Sequence, residues 1–452
     1  MLGNFFGPKS IAVIGVSRSP EKVGHVILRN LIDGGFKGKI FVVNPNAEEI
    51  LQFTSYASIT DVKDAVDLAI IAVPTEEVVK VVEQCGKKGI RDVIIVTSGF
   101  REVGNHVLDR KLEKMLAKYA IRCVGPNCLG CFDAHTKVDS LFLPRYRLTR
   151  PKEGGISFIC QSGAVGSAIL DLATEEGYGF AKFCSYGNAM NVDESDIMEY
   201  LGTDEKTKVI CLYVEGIMDG KKFLRAAKKV SAKKPVIAIK GGTTEQGAKA
   251  TLSHTGSLAG SAEIYAGAFR QAGVIQAHSL EEMFNYAKIL EKSMRPAGDR
   301  VLVITNGGGY GILSTDAIVR NGLQMAAFSA PVARQLRKAM PSLVTIANPL
   351  DLVGDATTAR YKAALDAALS DSNVDAVLLI VLYQTPLITT DIVDVIIEAN
   401  DLKKKPIAVV STGGEFTELL KKKLEEQNIP CYTFPEQAVG ALRALVGYHI
   451  KK

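Results

Sequence analysis

The stretch Ile11–Gly24, with the sequence IAVIGVSRSPEKVG, decides the fold of the N-terminal part of the chain. It begins with a short apolar run rich in β-branched residues, continues through a turn that starts at Gly15, and ends where amphipathic helical spacing begins at Val23. A strand, a small-residue turn and a helix in this order form the first half of a right-handed βαβ unit. The stretch therefore predicts a parallel sheet with helices packed on its faces.

The same alternation continues along the next hundred residues. Apolar runs that predict strands buried on both faces are Ile11–Gly15, Ile40–Asn44, Leu68–Val73 and Val93–Thr97. Helical spacing lies between them, at Val23–Gly34, Glu76–Lys88 and Asn105–Tyr119. We predict an α/β domain over residues 1–145, which is followed by a polar and basic linker, Arg145–Gly155.

Two further α/β domains are predicted, over residues 146–293 and 294–452, because the second half of the chain contains an internal repeat. Ile156–Ala168 aligns with Val301–Leu313, each with a strand, a small-residue turn and a helix. Lys233–Gly242 aligns with Lys404–Gly414. After Gly242 the copies diverge, and the segment Thr243–Ser261 has no counterpart, so we expect function there.

Composition excludes several classes of protein. The 452 residues carry 54 Lys and Arg against 49 Asp and Glu, and 47% are hydrophobic, which are globular proportions. A net charge of +5 is too small to indicate a nucleic-acid-binding or membrane-surface protein, and the apolar runs are too short to span a bilayer. Eight cysteines and the absence of a signal-like N-terminus favour a soluble, cytoplasmic protein without a disulfide framework.

The turn Gly15–Gly24 is a candidate anion site, because glycine lets the backbone approach a ligand and helix amides attract phosphate. It lacks the GxGxxG spacing, and the second strand ends in Asn44-Pro45 without a carboxylate for a ribose, which argues against a nicotinamide dehydrogenase. An anion held with the help of Arg18 and a turn without a ligand both remain open. Three more loops are expected at the same sheet edge: Ala72–Pro74, Thr97–Gly99 and Gly125–Asn127.

Two candidate sites lie in the second domain. Ser162, at the start of a predicted helix, either binds phosphate together with the following amides or only caps the helix. The unrepeated segment Gly241–Ser261 is rich in Gly, Ser and Thr and contains His254, a nucleophile when neutral or simply the start of the next helix. Four cysteines with ferredoxin-like spacing (Cys123, Cys128, Cys131 and Cys160) lie in apolar surroundings, so we interpret them as structural thiols and predict no metal site.

Four motifs, in this order along the chain, resemble those of the α subunits of ADP-forming acetyl-CoA synthetases: GPNCLG (Gly125–Gly130), QSGAVG (Gln161–Gly166), SHTGS (Ser253–Ser257) and NPLDL (Asn348–Leu352). These subunits belong to the nucleoside-diphosphate-forming acyl-CoA synthetase superfamily, together with succinyl-CoA synthetase. The resemblance covers essentially the whole chain and implies a Rossmann-like CoA-binding domain followed by two flavodoxin-like, succinyl-CoA synthetase-like domains.

The resemblance also implies roles for individual residues. It implies that coenzyme A lies along Gly15, Ser17, Arg18, Asn44, Pro45, Pro74, Ser98, Gly99 and Asn127. The basic residue that succinyl-CoA synthetases carry after the second strand is replaced by Asn46-Ala47-Glu48. Ser162, Gly163 and Ala164 match the phosphate site, His254 matches the phosphorylated histidine, and Glu215 matches the carboxylate that orients it.

The implied reaction converts an acyl-CoA, ADP and phosphate to an acid, ATP and CoA through an acyl phosphate and a phosphohistidine. The chain has no residues to spare for an ATP-grasp module, so ADP or ATP and Mg²⁺ are expected on a separate β subunit, in an α₂β₂ heterotetramer. The main alternative is a non-catalytic acyl-CoA-binding or regulatory module of the same fold. A lysine acetyltransferase on this scaffold is disfavoured, since no acetyltransferase domain follows Lys452.

Overall fold

A computed structural model describes residues 2–249 and 261–450, the side chain of residue 450 excepted. The chain divides into two compact units, Met1–Gln276 and Ala277–Lys452. The first unit contains two sheets and the second contains one. Three sheets dominated by parallel strands confirm the predicted α/β class.

The first sheet has the strand order β3-β4-β2-β1-β5-β6-β7, and only the β3–β4 pair is antiparallel. Its strands are β1 (Ser10–Ile14), β2 (Lys39–Val43), β3 (Glu49–Ile50), β4 (Phe53–Tyr56), β5 (Leu68–Ile71), β6 (Asp92–Ile95) and β7 (Arg122–Val124). Its helices are α1 (Val23–Asp33), α2 (Val78–Lys88) and α3 (His106–Lys118). The four predicted strands form the centre of the sheet, β2-β1-β5-β6, and the three predicted helices are confirmed.

Strand β1 is buried on both faces, as its unbroken apolar run predicts. Ile11 and Val13 belong to the core on one side of the sheet, whereas Ala12 and Ile14 belong to the core on the other side. Residues that alternate along a strand point to opposite faces, so helices must cover both faces.

The turn after β1 depends on two glycines. Gly15 has a φ of +92°, and a Cβ placed there would lie 2.5 Å from the carbonyl oxygen of Ala72. A Cβ on Gly24 would lie 2.3 Å from the carbonyl oxygen of Gly15, so α1 packs directly against the turn. Larger side chains at either position would push the helix away from the strand.

The second sheet of this unit has the order β13-β12-β11-β9-β10-β8, with β8 antiparallel to β10. Its strands are β8 (Gly130–Asp133), β9 (Glu153–Cys160), β10 (Phe180–Ser185), β11 (Val209–Val214), β12 (Val236–Lys240) and β13 (Ile275–Gln276). Its helices are α4 (Gly163–Glu175), α5 (Glu194–Thr203), α6 (Gly220–Ser231) and α7 (Ala262–Ala272), and residues 245–249 are also helical. The chain therefore passes from the first sheet to the second between β7 and β8.

The second unit is built on one parallel sheet of order β15-β14-β17-β18-β19, with β16 beside β14. Its strands are β14 (Arg300–Thr305), β15 (Gln324–Met325), β16 (Leu350–Asp351), β17 (Ala376–Ile380), β18 (Ile407–Val410) and β19 (Cys431–Tyr432). Its helices are α8 (Leu280–Lys292), α9 (Gly308–Arg320), α10 (Ala330–Ala339), α11 (Thr358–Ser370), α12 (Ile392–Asp401), α13 (Glu415–Glu426) and α14 (Pro435–Ile450). The strand–turn–helix repeat is present as β9–α4 and β14–α9.

All eight cysteines are buried, and the Sγ atoms of Cys131 and Cys184 lie 3.5 Å apart across the β8–β10 pair. Burial raises the pKa of the Cys123 and Cys160 thiols, so both remain protonated like other buried hydrophobic thiols.

Within residues 2–249 and 261–450, no group of three His, Cys, Asp or Glu side chains is placed to hold a metal ion. Every helix in these ranges is too short or too polar to cross a bilayer.

Candidate functional site

A cleft of about 1290 Å³ lies in the first unit, at the carboxyl ends of both of its sheets. The loops that follow β1, β5, β6 and β7 form one side, and those that follow β9, β10 and β11 form the other. Ligands of open parallel sheets bind outside the carboxyl ends of the strands, because the loops there are free to diverge and helix N-termini converge. This cleft is the candidate functional site.

The cleft brings together eight of the residues predicted to bind ligands. Its lining includes, from the first sheet, Gly15, Ser17, Pro74, Ser98 and Asn127 and, from the second, Ser162, Gly163 and Ala164. Four other predicted residues are not part of the lining: Arg18, Asn44, Pro45 and Gly99. Their contact with coenzyme A remains a prediction.

Asn44 supports the first turn from behind. Its amide nitrogen donates a hydrogen bond to the carbonyl oxygen of Val16, and its Oδ1 accepts one from the backbone N–H of Asn46 at 2.7 Å. On the other side of the turn, Nδ1 of His25 lies 2.8 Å from the carbonyl oxygen of Ser17, so Nδ1 carries the proton. The side chains of Asn44 and His25 thus hold the backbone of the turn in shape.

The cleft is also lined by three basic side chains that were not predicted from the sequence: Lys22, Arg101 and His106. Lys22 precedes α1, Arg101 follows the Ser98-Gly99 loop, and His106 begins α3. Lys22 and Arg101 place positive charge beside the predicted phosphate path, where only Arg18 was expected. The signal in the sequence was proximity, since Arg101 comes two residues after the predicted Gly99.

Glu102 joins the two sides of the cleft. Its Oε2 accepts a hydrogen bond of 2.6 Å from the side-chain amide of Asn188, which lies in the loop after β10. Burial alone would raise the pKa of Glu102, but the hydrogen bonds from Asn188 and from the backbone of Gly99 and Phe100 outweigh burial and hold it below its usual value. The ionised carboxylate therefore fixes the Ser98–Gly99 loop against the opposite wall.

The helix α4 begins at the cleft. Ser162 is its N-cap, and its Oγ accepts a hydrogen bond of 3.4 Å from the backbone N–H of Val165. Gly163 and Ala164, the first residues of the helix, line the cleft together with Ser162. Capping by Ser162 is thus observed, and the helix N-terminus at the cleft is the type of position at which backbone amides bind anions.

Glu215 follows β11, and its side chain is buried behind the cleft wall, which its neighbour Gly216 helps to form. The hydroxyl of Tyr213 donates a hydrogen bond of 3.3 Å to Oε1 of Glu215. The buried ammonium group of Lys240 lies 4.8 Å from the ring centre of Tyr265. Burial lowers the pKa of Lys240, and the charge of Glu215 partly opposes this effect. His254 lies outside the described residues, so its pairing with Glu215 remains a prediction.

Glu194 and Tyr186 form a second buried pair at the cleft that the sequence analysis missed. Glu194 is the first residue of α5, 3% exposed, and Tyr186 follows β10 and is fully buried. Both line the cleft. Burial raises the pKa of Glu194 to about 7, and the neighbouring Asp193 carboxylate adds to the shift, which Lys222 and Tyr186 oppose. A glutamate at the start of a helix is so common that the sequence alone gave no signal for this site.

Three family descriptions match successive parts of the chain. Residues 9–133 match a CoA binding domain, residues 153–290 a succinyl-CoA ligase-like flavodoxin domain, and residues 301–448 a ligase-CoA domain. A solved structure of dinucleotide-forming acetyl-coenzyme A synthetase 1 from Ca. Korarchaeum cryptofilum, in complex with phosphate and ADP, is 38% identical. It superposes with a TM-score of 0.94, over 99% of this chain and 97% of that one.

Two curated relatives are similar along nearly the whole chain. The acetate–CoA ligase [ADP-forming] of Methanocaldococcus jannaschii is 42% identical over 98% of this chain, which spans only 63% of that longer protein. The acetate–CoA ligase [ADP-forming] II subunit alpha of Pyrococcus furiosus is 39% identical, over 99% of this chain and 97% of the relative. On these similarities, the chain belongs to the family of the ADP-forming acetate–CoA ligases, as a counterpart of their α subunits.

Proposed function

We propose that this chain is the α subunit of an ADP-forming acyl-CoA synthetase, which converts acyl-CoA, ADP and phosphate to an acid, ATP and CoA. One observation carries the proposal: the first turn, with its glycines and nearby cations, and the N-terminus of α4 open into the same cleft. An acyl-CoA bound along this cleft has its phosphates at the first sheet and its thioester at the second.

The cleft suits coenzyme A in shape and charge. Its volume of about 1290 Å³ accommodates an extended ligand, and Gly15 and Gly24 leave the first turn open to the approach of a diphosphate. Lys22 and Arg101 lie where they would neutralise phosphate charge. The Glu102–Asn188 hydrogen bond would keep the two walls at a fixed separation along the ligand.

The thioester step takes place at the N-terminus of α4. Phosphate bound by the amides of Gly163 and Ala164 attacks the thioester carbonyl, which gives an acyl phosphate and frees CoA. Helix amides attract the phosphate oxygens without forming a tight ion pair, which suits a group that must also leave the site.

The phosphoryl group then passes to His254, and the free acid leaves. Glu215 accepts a hydrogen bond from the other ring nitrogen and stabilises the positive charge that develops on the imidazole. The buried position of Glu215 supports this role, because Tyr213 donates a hydrogen bond to the carboxylate and Gln161 holds the backbone N–H of the same residue.

The second half-reaction requires a partner that binds the nucleotide. The Methanocaldococcus relative continues well beyond the length of this chain, and the Pyrococcus relative is named as an alpha subunit. We propose that a separate ATP-grasp β subunit binds ADP and Mg²⁺ and receives the phosphoryl group from His254, in an α₂β₂ assembly. Mg²⁺ would there offset the charge of the nucleotide phosphates.

The test is reconstitution with the candidate β chain, followed by ATP formation from ADP, phosphate and acetyl-CoA, branched-chain acyl-CoA or aryl-CoA. In the opposite direction, ATP should label the chain with an acid-labile phosphate. His254→Ala should abolish the labelling, whereas His278→Ala, a matched change at an exposed histidine, should leave it intact. Binding of acyl-CoA without labelling of the wild-type chain would instead identify a non-catalytic acyl-CoA-binding module.

A further inference from the structure

We propose that Glu194 is a catalytic residue of the thioester step: it donates a proton to the sulfur of CoA as the thioester breaks and recovers it in the reverse direction. This inference rests on the proposed function and adds a residue to it. The observation behind it is a buried carboxyl group at the cleft, on the same wall as the predicted phosphate site.

The position of Glu194 follows from the architecture of the second sheet. The loops after β9, β10 and β11 form one wall, with Gln161–Ala164 at the start of α4 and Gly216–Met218 beside it. Glu194 lines this wall at the start of α5. A thioester that meets phosphate at α4 must bring its sulfur to this wall, since the sulfur and the attacked carbon are bonded to each other.

The neighbouring acidic group, Asp193, is committed to structure. Its Oδ1 accepts hydrogen bonds from the backbone of Ser195 at 2.9 Å and of Asp196 at 3.1 Å, and its Oδ2 lies 2.9 Å from Nζ of Lys222. Lys222 also bonds Asp196 at 2.6 Å. Glu194, in contrast, forms no ion pair with any residue in the described ranges. It is therefore the acidic group of this wall that can exchange a proton with a ligand.

Two tyrosines and Lys222 are the remaining groups that face Glu194, and Tyr186 and Lys222 favour its ionised form. Tyr186 and Tyr265 interact with it electrostatically, and the Tyr265 hydroxyl accepts a hydrogen bond of 2.9 Å from the backbone of Ile217. Apart from Glu194, the buried Tyr186 hydroxyl has no hydrogen-bond partner within residues 2–249 and 261–450. Lys222 is the cation that opposes protonation of Glu194.

The chemistry of the step fits a carboxyl group that titrates near neutral pH. Burial raises the pKa of Glu194 to about 7, closer than an ordinary glutamate to that of an alkyl thiol, about 8.5 for cysteine. Proton transfer is most efficient when the pKa of the catalytic group lies near the working pH. In its neutral form Glu194 also does not repel the phosphate at α4.

The atoms and charges of the step balance. An oxygen of HPO₄²⁻ forms a bond to the thioester carbon, and the carbon–sulfur bond breaks with its electron pair on sulfur. The carboxyl proton of Glu194 moves to that sulfur and gives CoA as a free thiol. The proton of the phosphate, now part of the more acidic acyl phosphate monoanion, is released and restores the carboxyl group through solvent.

The test uses the reconstituted enzyme and the variant Glu194→Gln, with Glu205→Gln, an exposed glutamate beyond α5, as the matched control. We expect Glu194→Gln to lower kcat for CoA release about 100-fold, with KM for acyl-CoA and labelling of His254 by ATP within about twofold of the wild type. In the wild type kcat for CoA release should fall above pH 7, and kcat for acyl-CoA synthesis should rise through pH 7. Both of these pH dependences of kcat should disappear in Glu194→Gln. Glu194→Asp should retain a pH-dependent rate.

Three outcomes separate this inference from the proposed function. If the wild type neither releases CoA nor becomes labelled, the proposed function fails, and the inference fails with it. If the wild type is active and Glu194→Gln keeps the wild-type rate and its pH dependence, only the inference is wrong. Equal losses of labelling, acyl-CoA affinity and turnover in Glu194→Gln, without rescue by Glu194→Asp, would make Glu194 structural and also overturn the inference.

Discussion

The side-chain oxygen of Gln161 accepts hydrogen bonds from the backbone N–H groups of Glu215 at 2.7 Å and of Gly216 at 3.1 Å. Gln161 immediately precedes the N-cap of α4, and Glu215 follows β11. The strands β9 and β11 are neighbours in the sheet, so this contact joins the loops at their carboxyl ends. The proposed phosphate site and the proposed orienting carboxylate thus share one support.

Removing this support should lower phosphohistidine formation. Gln161→Met keeps the length of the side chain but leaves two backbone N–H groups without an acceptor, at a cost of about 1–3 kcal/mol. We expect the rate of acid-labile labelling by ATP to fall at least tenfold, with acyl-CoA affinity within about threefold of the wild type. Gln271→Met, at an exposed position in α7, is the control. Normal labelling of Gln161→Met would show that the contact does not position Glu215.

The central part of the fold was predictable because the information is local. Runs such as Leu68–Val73 have no alternation, and buried parallel strands require none, so the predicted strand and β5 begin at the same residue. Strand β8 was not predicted, since Gly130–Asp133 contains no β-branched run and pairs with β10, fifty residues later in the chain. Pairing over such a distance depends on tertiary contacts rather than on local preference.

The candidate site was predictable only where a motif marks it. Gly15 and Ser162 lie in recognisable turns, and the structure places both at the cleft. Arg101 and Glu194 have no motif, because their contribution depends on burial and on neighbours brought in by other loops. The pKa of Glu194 in particular arises from loss of water and from Asp193, neither of which a sequence pattern describes.

The close contact between α1 and the first turn makes Gly24 sensitive to substitution. In Gly24→Ala the new Cβ would lie 2.3 Å from the carbonyl oxygen of Gly15, so helix and turn must separate. We expect unfolding free energy to fall by about 1–3 kcal/mol and acyl-CoA affinity to fall as well. Gly220→Ala, at the start of α6, meets no atom within 4 Å and should change neither. Urea denaturation and binding of acyl-CoA by calorimetry measure the two effects.

The basic residues at the cleft should contribute to acyl-CoA affinity through its phosphates. Arg101→Gln removes one cation from the lining, and we expect Kd for acyl-CoA to rise about 5- to 30-fold, as for the loss of one charge-assisted hydrogen bond. The dependence of Kd on salt should weaken, because fewer opposite charges meet in the complex. Arg110→Gln, at an exposed position in α3 outside the cleft, should bind normally.

A comparison with Arg18→Gln tests the expectation that came from the sequence. Arg18 is exposed and is not part of the cleft lining, so we expect its loss to weaken binding less than the loss of Arg101. If Arg18→Gln instead causes the larger rise in Kd, the phosphates lie on the outer side of the first turn. The assignment of Arg101 to the ligand would then be wrong.

Glu194 should make the stability of the ligand-free chain depend on pH in a direction opposite to that of most carboxylates. Its pKa is about 7 in the folded protein and near 4.5 in the unfolded chain, so between these values the folded state binds more protons. The stabilisation from its protonation is complete below pH 4.5 and is lost as the pH rises through 7. This difference between the folded and unfolded pKa values corresponds to at most about 3 kcal/mol. We expect protonation of Glu194 to contribute about 1–3 kcal/mol to the free energy of unfolding.

Glu194→Gln cannot titrate and should therefore lack this loss. The free energy of unfolding of the wild type should fall between pH 5 and pH 8 by about 1–3 kcal/mol more than that of the variant. Urea denaturation without any ligand measures both changes. Glu205→Gln should follow the wild type at both pH values, since Glu205 is exposed. If the free energy of unfolding changes equally between pH 5 and pH 8 in the variant and in the wild type, Glu194 is ionised at neutral pH. Because this measurement needs no partner subunit and no substrate, it tests the buried state of the carboxyl group separately from any role in catalysis.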